Sequence, residues 1–168
     1  MRKRFEQQLQ LGTVPISEYK VKLKSRHELP PVLAALQYVF VNSQINTKIF
    51  DLLEEKIISG KAKTGRPGMN LWEIFVLSTV RLCLDVNYDF LLDLANEHIA
   101  LRSILGVQTT DFSPGKEYKY QTIVDNVRLL DEQTLDQINE LIVKSGHSLL
   151  KKRRDPRGRK DRISNKGR

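Results

Sequence analysis

Apolar residues recur along this chain at intervals of three and four, the period of a helix with one buried face. Strict alternation is missing, and no Asn-Gly or similar hairpin signal separates the apolar runs. The pattern predicts helices throughout. Residues 3–11 have the spacing of a short helix, whereas Gly12 and Pro15 break up residues 12–29. Pro30 and Pro31 suit the first turn of a helix reaching about Val41, where Asn42 and Ser43 interrupt it. The next helix covers 44–59. Ile45, Ile49, Leu52, Leu53 and Ile57 make its apolar stripe, and Gly60 is its stop. The basic loop KAKTGRPGMN follows and reads as a joint between subdomains.

Asn70, with Glu73 three positions on, has the form of a capping box. The run it opens, LWEIFVLSTVRLCL, is apolar on most faces and is expected to be the central buried helix, with Trp72 and Phe75 in the core. Glu73 and Arg81 are the charges that interrupt it. Asn87 can cap a helix from Tyr88 to about Asn96. A further short helix covers 98–105 and stops at Gly106. VQTTDFSPGKEYK, 107–119, reads as loop. Tyr120 or Thr122 then starts a helix with Ile123, Val127 and Leu130 on one face. Asp131 caps a last helix with the stripe Leu135, Ile138, Leu141 and Ile142, closed by Gly146.

The expected fold is therefore all-α. It is a helical bundle of six or seven helices with a helix-turn-helix-like portion around 88–130 and a disordered basic C-terminal tail. The divisions are an N-terminal helical segment, 1–60, a helix-turn-helix-like domain, 61–150, and the tail, 151–168. No internal repeat is present.

Charge changes this picture at one place. The net charge is +8, yet the tail alone holds ten Lys/Arg against two Asp, and residues 1–150 hold 18 of each sign. Within that body, residues 1–26 carry seven basic and two acidic side chains, and residues 27–150 carry 11 and 16. A mildly acidic middle between basic ends is not the profile of a domain that binds DNA through bulk charge. The single cysteine, Cys83, excludes an internal disulfide and is expected to pack as a small hydrophobe. The N-terminus lacks the apolar core of a secretion signal, and the longest apolar run is too short and too charged to span a bilayer. The expectation is a cytoplasmic protein, nucleoid-associated when bound to DNA, with no membrane partner.

No enzyme site is legible. His27, His98 and His147 fit no metal-spacing motif, and TGRPG lacks the Lys-Ser/Thr ending of a phosphate loop. The carboxylates fall mostly on polar helix faces. No catalytic residue, metal ligand, cofactor or small-molecule substrate is assigned. A binding role fares better. In KYQTIVDNVRLL, the residues Lys119, Tyr120, Gln121, Thr122 and Arg128 can face DNA while Ile123, Val127 and Leu130 pack inward. Asp125 on the same helix opposes phosphate contact, and an ordinary bundle helix remains the alternative. Arg66, in its Gly/Pro loop, can reach a phosphate or simply be solvated. Lys151, Lys152, Arg153 and Arg154 open the basic tail and complete the candidate DNA-binding set.

Two long stretches carry a family resemblance. GKAKTGRPGMNLWEIFVLSTVRLCLDVNYDFLLDLANEHIALRSILG, and then KEYKYQTIVDNVRLLDEQTLDQINELIVKSGHSLLKK, resemble the N-terminal region of bacterial insertion-sequence transposases, in particular the group called the ISNCY family. MRKRFEQQLQLGTVPISEY and SRHELPPVLAALQYVF are similar to that family's start. The likeness covers about residues 1–152, with the GRPG loop and the helix order ending in LRSILG as its most specific parts. It implies a helical domain that binds the element's terminal inverted repeats. It also implies a following RNase H-like domain with a DDE triad holding divalent metal such as Mg.

After Lys151 and Lys152 the resemblance ends. RRDPRGRKDRISNKGR takes the place of a first catalytic strand, and no DDE residue can be carried over. Adjacent lysines imply slippage-prone A-rich codons, so a frameshift near codons 151–153 is expected to have put an out-of-frame tail where the catalytic domain should begin. The alternative is a genuine phosphate-binding arm. The expected chain binds DNA ends but neither cuts nor joins them. It can also act as a helical protein-interaction module, or pair with full-length transposase or with itself as a dominant-negative regulator.

Overall fold

Short polar side chains set where the helices begin. The computed structural model describes residues 2–5, 11–24, 26–59 and 68–153, with side chains of the last helix as far as Lys144. A 3₁₀ turn at Ile16–Glu18 precedes α1 (Leu29–Val41), which has prolines in its first turn and no cap from the N-cap residue Glu28. Asn42 caps α2 (Ser43–Ile57) by accepting from the Ile45 N–H at 3.2 Å. Asn70 caps α3 (Leu71–Leu84) through Glu73 N–H, and Asn87 caps α4 (Tyr88–Glu97) through Phe90 N–H, both at 2.8 Å. His98 caps α5 (Ile99–Leu105), its Nδ1 accepting from Leu101 N–H at 3.3 Å. Then come α6 (Tyr120–Val127) and α7 (Glu132–Arg153), the latter capped by Asp131 through Thr134 N–H at 2.8 Å.

These seven helices make the chain all-α among the described residues, and none of them is long and apolar enough to cross a membrane. The 88–130 portion consists of α4, α5 and α6. His98 alone separates α4 from α5, and the 106–119 loop separates α5 from α6. One apolar cluster runs from Ile16 to Ile138 and includes side chains of all seven helices. It therefore joins the residues before the GRPG loop to those after it.

The central position of α3 follows from its composition. Residues 71–78 and Val80 are buried, so this helix is enclosed nearly all round. Trp72 packs against Phe5, Phe40 and Phe75 with ring centroids 5.0–6.3 Å apart, and its indole N–H donates to the Ile104 carbonyl at 2.8 Å. The expected stripe of α2 is inward, with Ile45, Ile49, Leu53 and Ile57 buried and Leu52 packed at the margin.

Four expectations are corrected. Residues 3–5 are not helical. The Lys3 and Arg4 carbonyls instead accept from the Leu71 and Trp72 N–H groups at 2.9 and 3.1 Å, so this strap satisfies orphan donors at the start of α3. Asn70 and Glu73 make half a capping box, because the Glu73 carboxylate turns to Lys116. Gly146 does not end the last helix, which continues to Arg153; good helix formers on both sides outweigh a cost of about 1 kcal/mol for one glycine. Cys83 is exposed, since the last turn of α3 leaves the core.

Candidate nucleic-acid interface

The approach to α6 is held by side chains from three other helices. Asn96 of α4 forms a two-way pair with the Tyr118 backbone, donating to its carbonyl at 3.0 Å and accepting from its N–H at 2.8 Å. Arg102 of α5 is buried and donates to the Lys116 carbonyl at 3.1 Å and the Ala95 carbonyl at 3.1 Å. Glu73 of α3, 3 % exposed at its side chain, accepts from Lys116 Nζ at 2.7 and 2.8 Å. The Lys116 ammonium also lies 4.9 Å from the centre of the Tyr118 ring. Gly115 makes the loop's turn at φ +72°, and a Cβ there would meet Arg102 Nη2 at 2.7 Å and two carbonyl oxygens at 2.8 Å.

These contacts bury the Tyr118 hydroxyl beside the Glu73 carboxylate. Burial, with the nearby Glu73 charge added, pushes its pKa well above the usual tyrosine value, so it stays a neutral phenol.

α6 itself is amphipathic. Ile123, Val124 and Val127 are buried against α3 and α4, while Lys119, Tyr120, Gln121, Thr122, Asp125 and Arg128 are exposed. Lys119 occupies the N-cap position and supplies no side-chain acceptor, so no side chain caps the first N–H groups of α6. Buried Asn126 ties the helix to the N-terminal strap. Its amide donates to the Thr122 carbonyl at 2.7 Å and its oxygen accepts from Arg2, which also donates to the Met69 carbonyl at 3.0 Å. Burial lowers the Arg2 pKa from its ordinary value. A groove of about 480 Å³ runs beside this end of the helix, with Met69, Lys116, Lys119, Thr122 and Asn126 in its walls.

The exposed face is less basic than its lysine and arginine imply. Gln121, Asp125 and Arg128 stand at i, i+4 and i+7 on one side, and the Gln121 amide donates to Asp125 at 2.6 Å. The carboxylate sits between the two residues best suited to bases and phosphates and engages one of them. Arg128 lies over the Tyr88 ring at 5.7 Å, where Arg81 also stacks at 4.4 Å.

The structure thus brings together Lys119, Tyr120, Gln121, Thr122 and Arg128 on one short helix. Lys151, Lys152 and Arg153 lie in the last turn of α7, with side chains outside the described residues; Arg66 and Arg154 lie wholly outside them. Sequence reasoning did not select Arg2, Glu73, Arg81 or Tyr88 for this surface. A signal existed for two of them, since Glu73 and Arg81 are the charges that interrupt the apolar run of α3. His27 and His98 serve helix starts, accepting from Leu29 and Leu101 N–H at 3.3 Å. Burial, and then the charge of His27, lowers the pKa of His98, which suits a ring nitrogen that must accept. Among the described residues no three His, Cys, Asp or Glu side chains gather as a metal site.

No family model, curated protein or solved structure matches the chain.

Proposed function

We propose that this chain is the DNA-binding N-terminal part of an insertion-sequence transposase, which occupies the terminal inverted repeats of its element. Its family resemblance supplies the target. The observation that carries the reading is the exposed start of α6, where Lys119, Tyr120, Gln121 and Thr122 project from a helix fixed by Asn96, Arg102 and Glu73. Recognition by a short helix requires such fixing, because base-edge contacts tolerate little displacement. Lys151, Lys152, Arg153, Arg154 and Arg66 add nonspecific phosphate contacts in this reading. The chain works in the cytoplasm on nucleoid DNA. In this reading the helical region binds DNA, and cutting and joining belong to the metal-holding triad of the RNase H-like domain that the resemblance implies.

The test is a competition gel shift with the full chain, using DNA from the ends of the element against scrambled duplex of equal length. We expect at least a tenfold preference for the element's ends. Equal affinity for the two sets overturns sequence-directed binding.

A second reading rests on the acidic balance of residues 27–150 and on Asp125 at the middle of the α6 face. Here the bundle is a protein-interaction module that pairs with itself or with full-length transposase and restrains it. Excess chain that leaves transposition in cells unchanged removes this reading.

A further inference from the structure

The geometry points to a phosphodiester clamp formed by Arg81 and Arg128 around the ring of Tyr88. Arg81 lies in the last turn of α3, Tyr88 is the first residue of α4, and Arg128 is the C-cap of α6. Their guanidinium carbons lie 4.4 and 5.7 Å from the centre of one ring. The consecutive helices α3 and α4 and the later α6 therefore bring two positive charges to one ring.

Two like charges on one ring repel each other. Cation–π attraction offsets this by only about 0.5–1 kcal/mol per contact at exposed sites. Neighbouring carboxylates would be the usual remedy, yet neither arginine makes an ion pair with a described residue. The acids close to them in sequence have other tasks. Asp125 accepts from Gln121, Asp131 holds Thr134 at the start of α7, and Asp85 takes the left-handed turn that ends α3. Arg81 Nε is buried without a partner, so ring stacking rather than hydrogen bonding positions its guanidinium.

A phosphate is the anion that fits this arrangement, because guanidinium forks match its oxygens and it neutralises both cations together. The polymer that carries it is the DNA of the reading above, which α6 offers a cation at each end: Lys119 stands at the N-cap and Arg128 at the C-cap. The clamp would grip the backbone and set register while the start of α6 meets the bases. This inference rests on the DNA-binding reading above.

The experiment is a salt titration of the full chain on a fluorescent duplex by anisotropy, between about 50 and 200 mM salt. Arg81→Gln and Arg128→Gln are each expected to weaken binding several-fold and to make the log–log salt slope shallower by about 0.9. Arg81→Lys and Arg128→Lys should keep the slope. Tyr88→Phe should behave as wild type, and Tyr88→Leu should weaken binding with its melting temperature recorded alongside. Arg128 is exposed beyond the end of α6, so Arg128→Gln gives the slope even if Arg81→Gln unfolds. A wild type that binds duplex while Arg128→Gln leaves the slope unchanged overturns the clamp and leaves DNA binding standing. A wild type with no duplex binding at the lowest salt overturns the DNA reading itself. Competition by polyglutamate equal to that by duplex overturns phosphodiester preference.

Discussion

Two ion pairs join distant parts of this chain in opposite surroundings. In the first, Glu73 of the central helix meets Lys116 of the loop before α6, with side-chain exposures of 3 % and 43 %. In the second, Arg4 of the strap meets Asp51 and Glu54 of α2, each at 2.7 Å, with exposures of 42 %, 60 % and 39 %. The distances are alike, but the energetics differ. A buried carboxylate must be neutralised or the fold bears its desolvation, so Glu73 dictates where Lys116 lies. Water would solvate the Arg4 cluster almost as well as its partners do. The hydrogen bonds that Arg4 donates to Glu54 and then Asp51 raise its pKa, yet the contact still competes with solvent.

The largest expected effect comes from stranding the buried partner. Lys116→Met leaves Glu73 alone and should cost about 3 kcal/mol, at the low end for a broken buried pair because the lysine is partly solvated. Urea unfolding measures it. The double variant Glu73→Leu with Lys116→Met should recover most of that loss, since two apolar side chains leave no unpaired charge. A single-variant loss below about 1 kcal/mol would make the two pairs equivalent and end the distinction.

Arg4→Gln should cost no more than about 1 kcal/mol, and less in about 1 M salt, where screening is strong. The same denaturation in low and high salt tests it. A loss matching that of Lys116→Met would show that the strap depends on charge rather than on its backbone contacts.

The smallest effect is acid sensitivity. Arg4 lowers the Glu54 pKa from its ordinary 4.5. The unfolded chain therefore takes up this proton at higher pH than the folded chain does. The contribution is fully present above about pH 4.5 and fades as pH falls through the folded value. The gap in melting temperature between wild type and Arg4→Gln should narrow on acidification below that point. A gap that widens contradicts the assignment.

The same contrast explains what could be read from the sequence. The starts of α3, α4 and α7 were legible because Asn70, Asn87 and Asp131 act on their own neighbours, three residues away, whereas Asn42, which reads only as an interruption, proves to be the cap of α2. The inward face of α2 was legible from period alone. Arg2, in contrast, acts on Met69 and Asn126, 67 and 124 positions on, and no local pattern encodes such a partner. Glu73 and Arg81 were visible as charges in an apolar run, but which groups would meet them depends on where the 106–119 loop and α6 return. For the candidate interface, sequence placed the exposed residues of α6 correctly. It could not show that Asp125 engages Gln121, or that Tyr88 supports Arg128.

The N-terminal strap also bears on the timing of biosynthesis. Ribosomes add about 5–20 residues per second, so Arg2 is synthesised roughly 6–25 s before its partner 124 positions later. Until then the strap can satisfy the start of α3 and the Met69 carbonyl but lacks its tie to α6. The closing step of assembly therefore waits for the last third of the chain, and a translational pause between α3 and α6 would extend the life of an intermediate whose central apolar helix lacks its final cover.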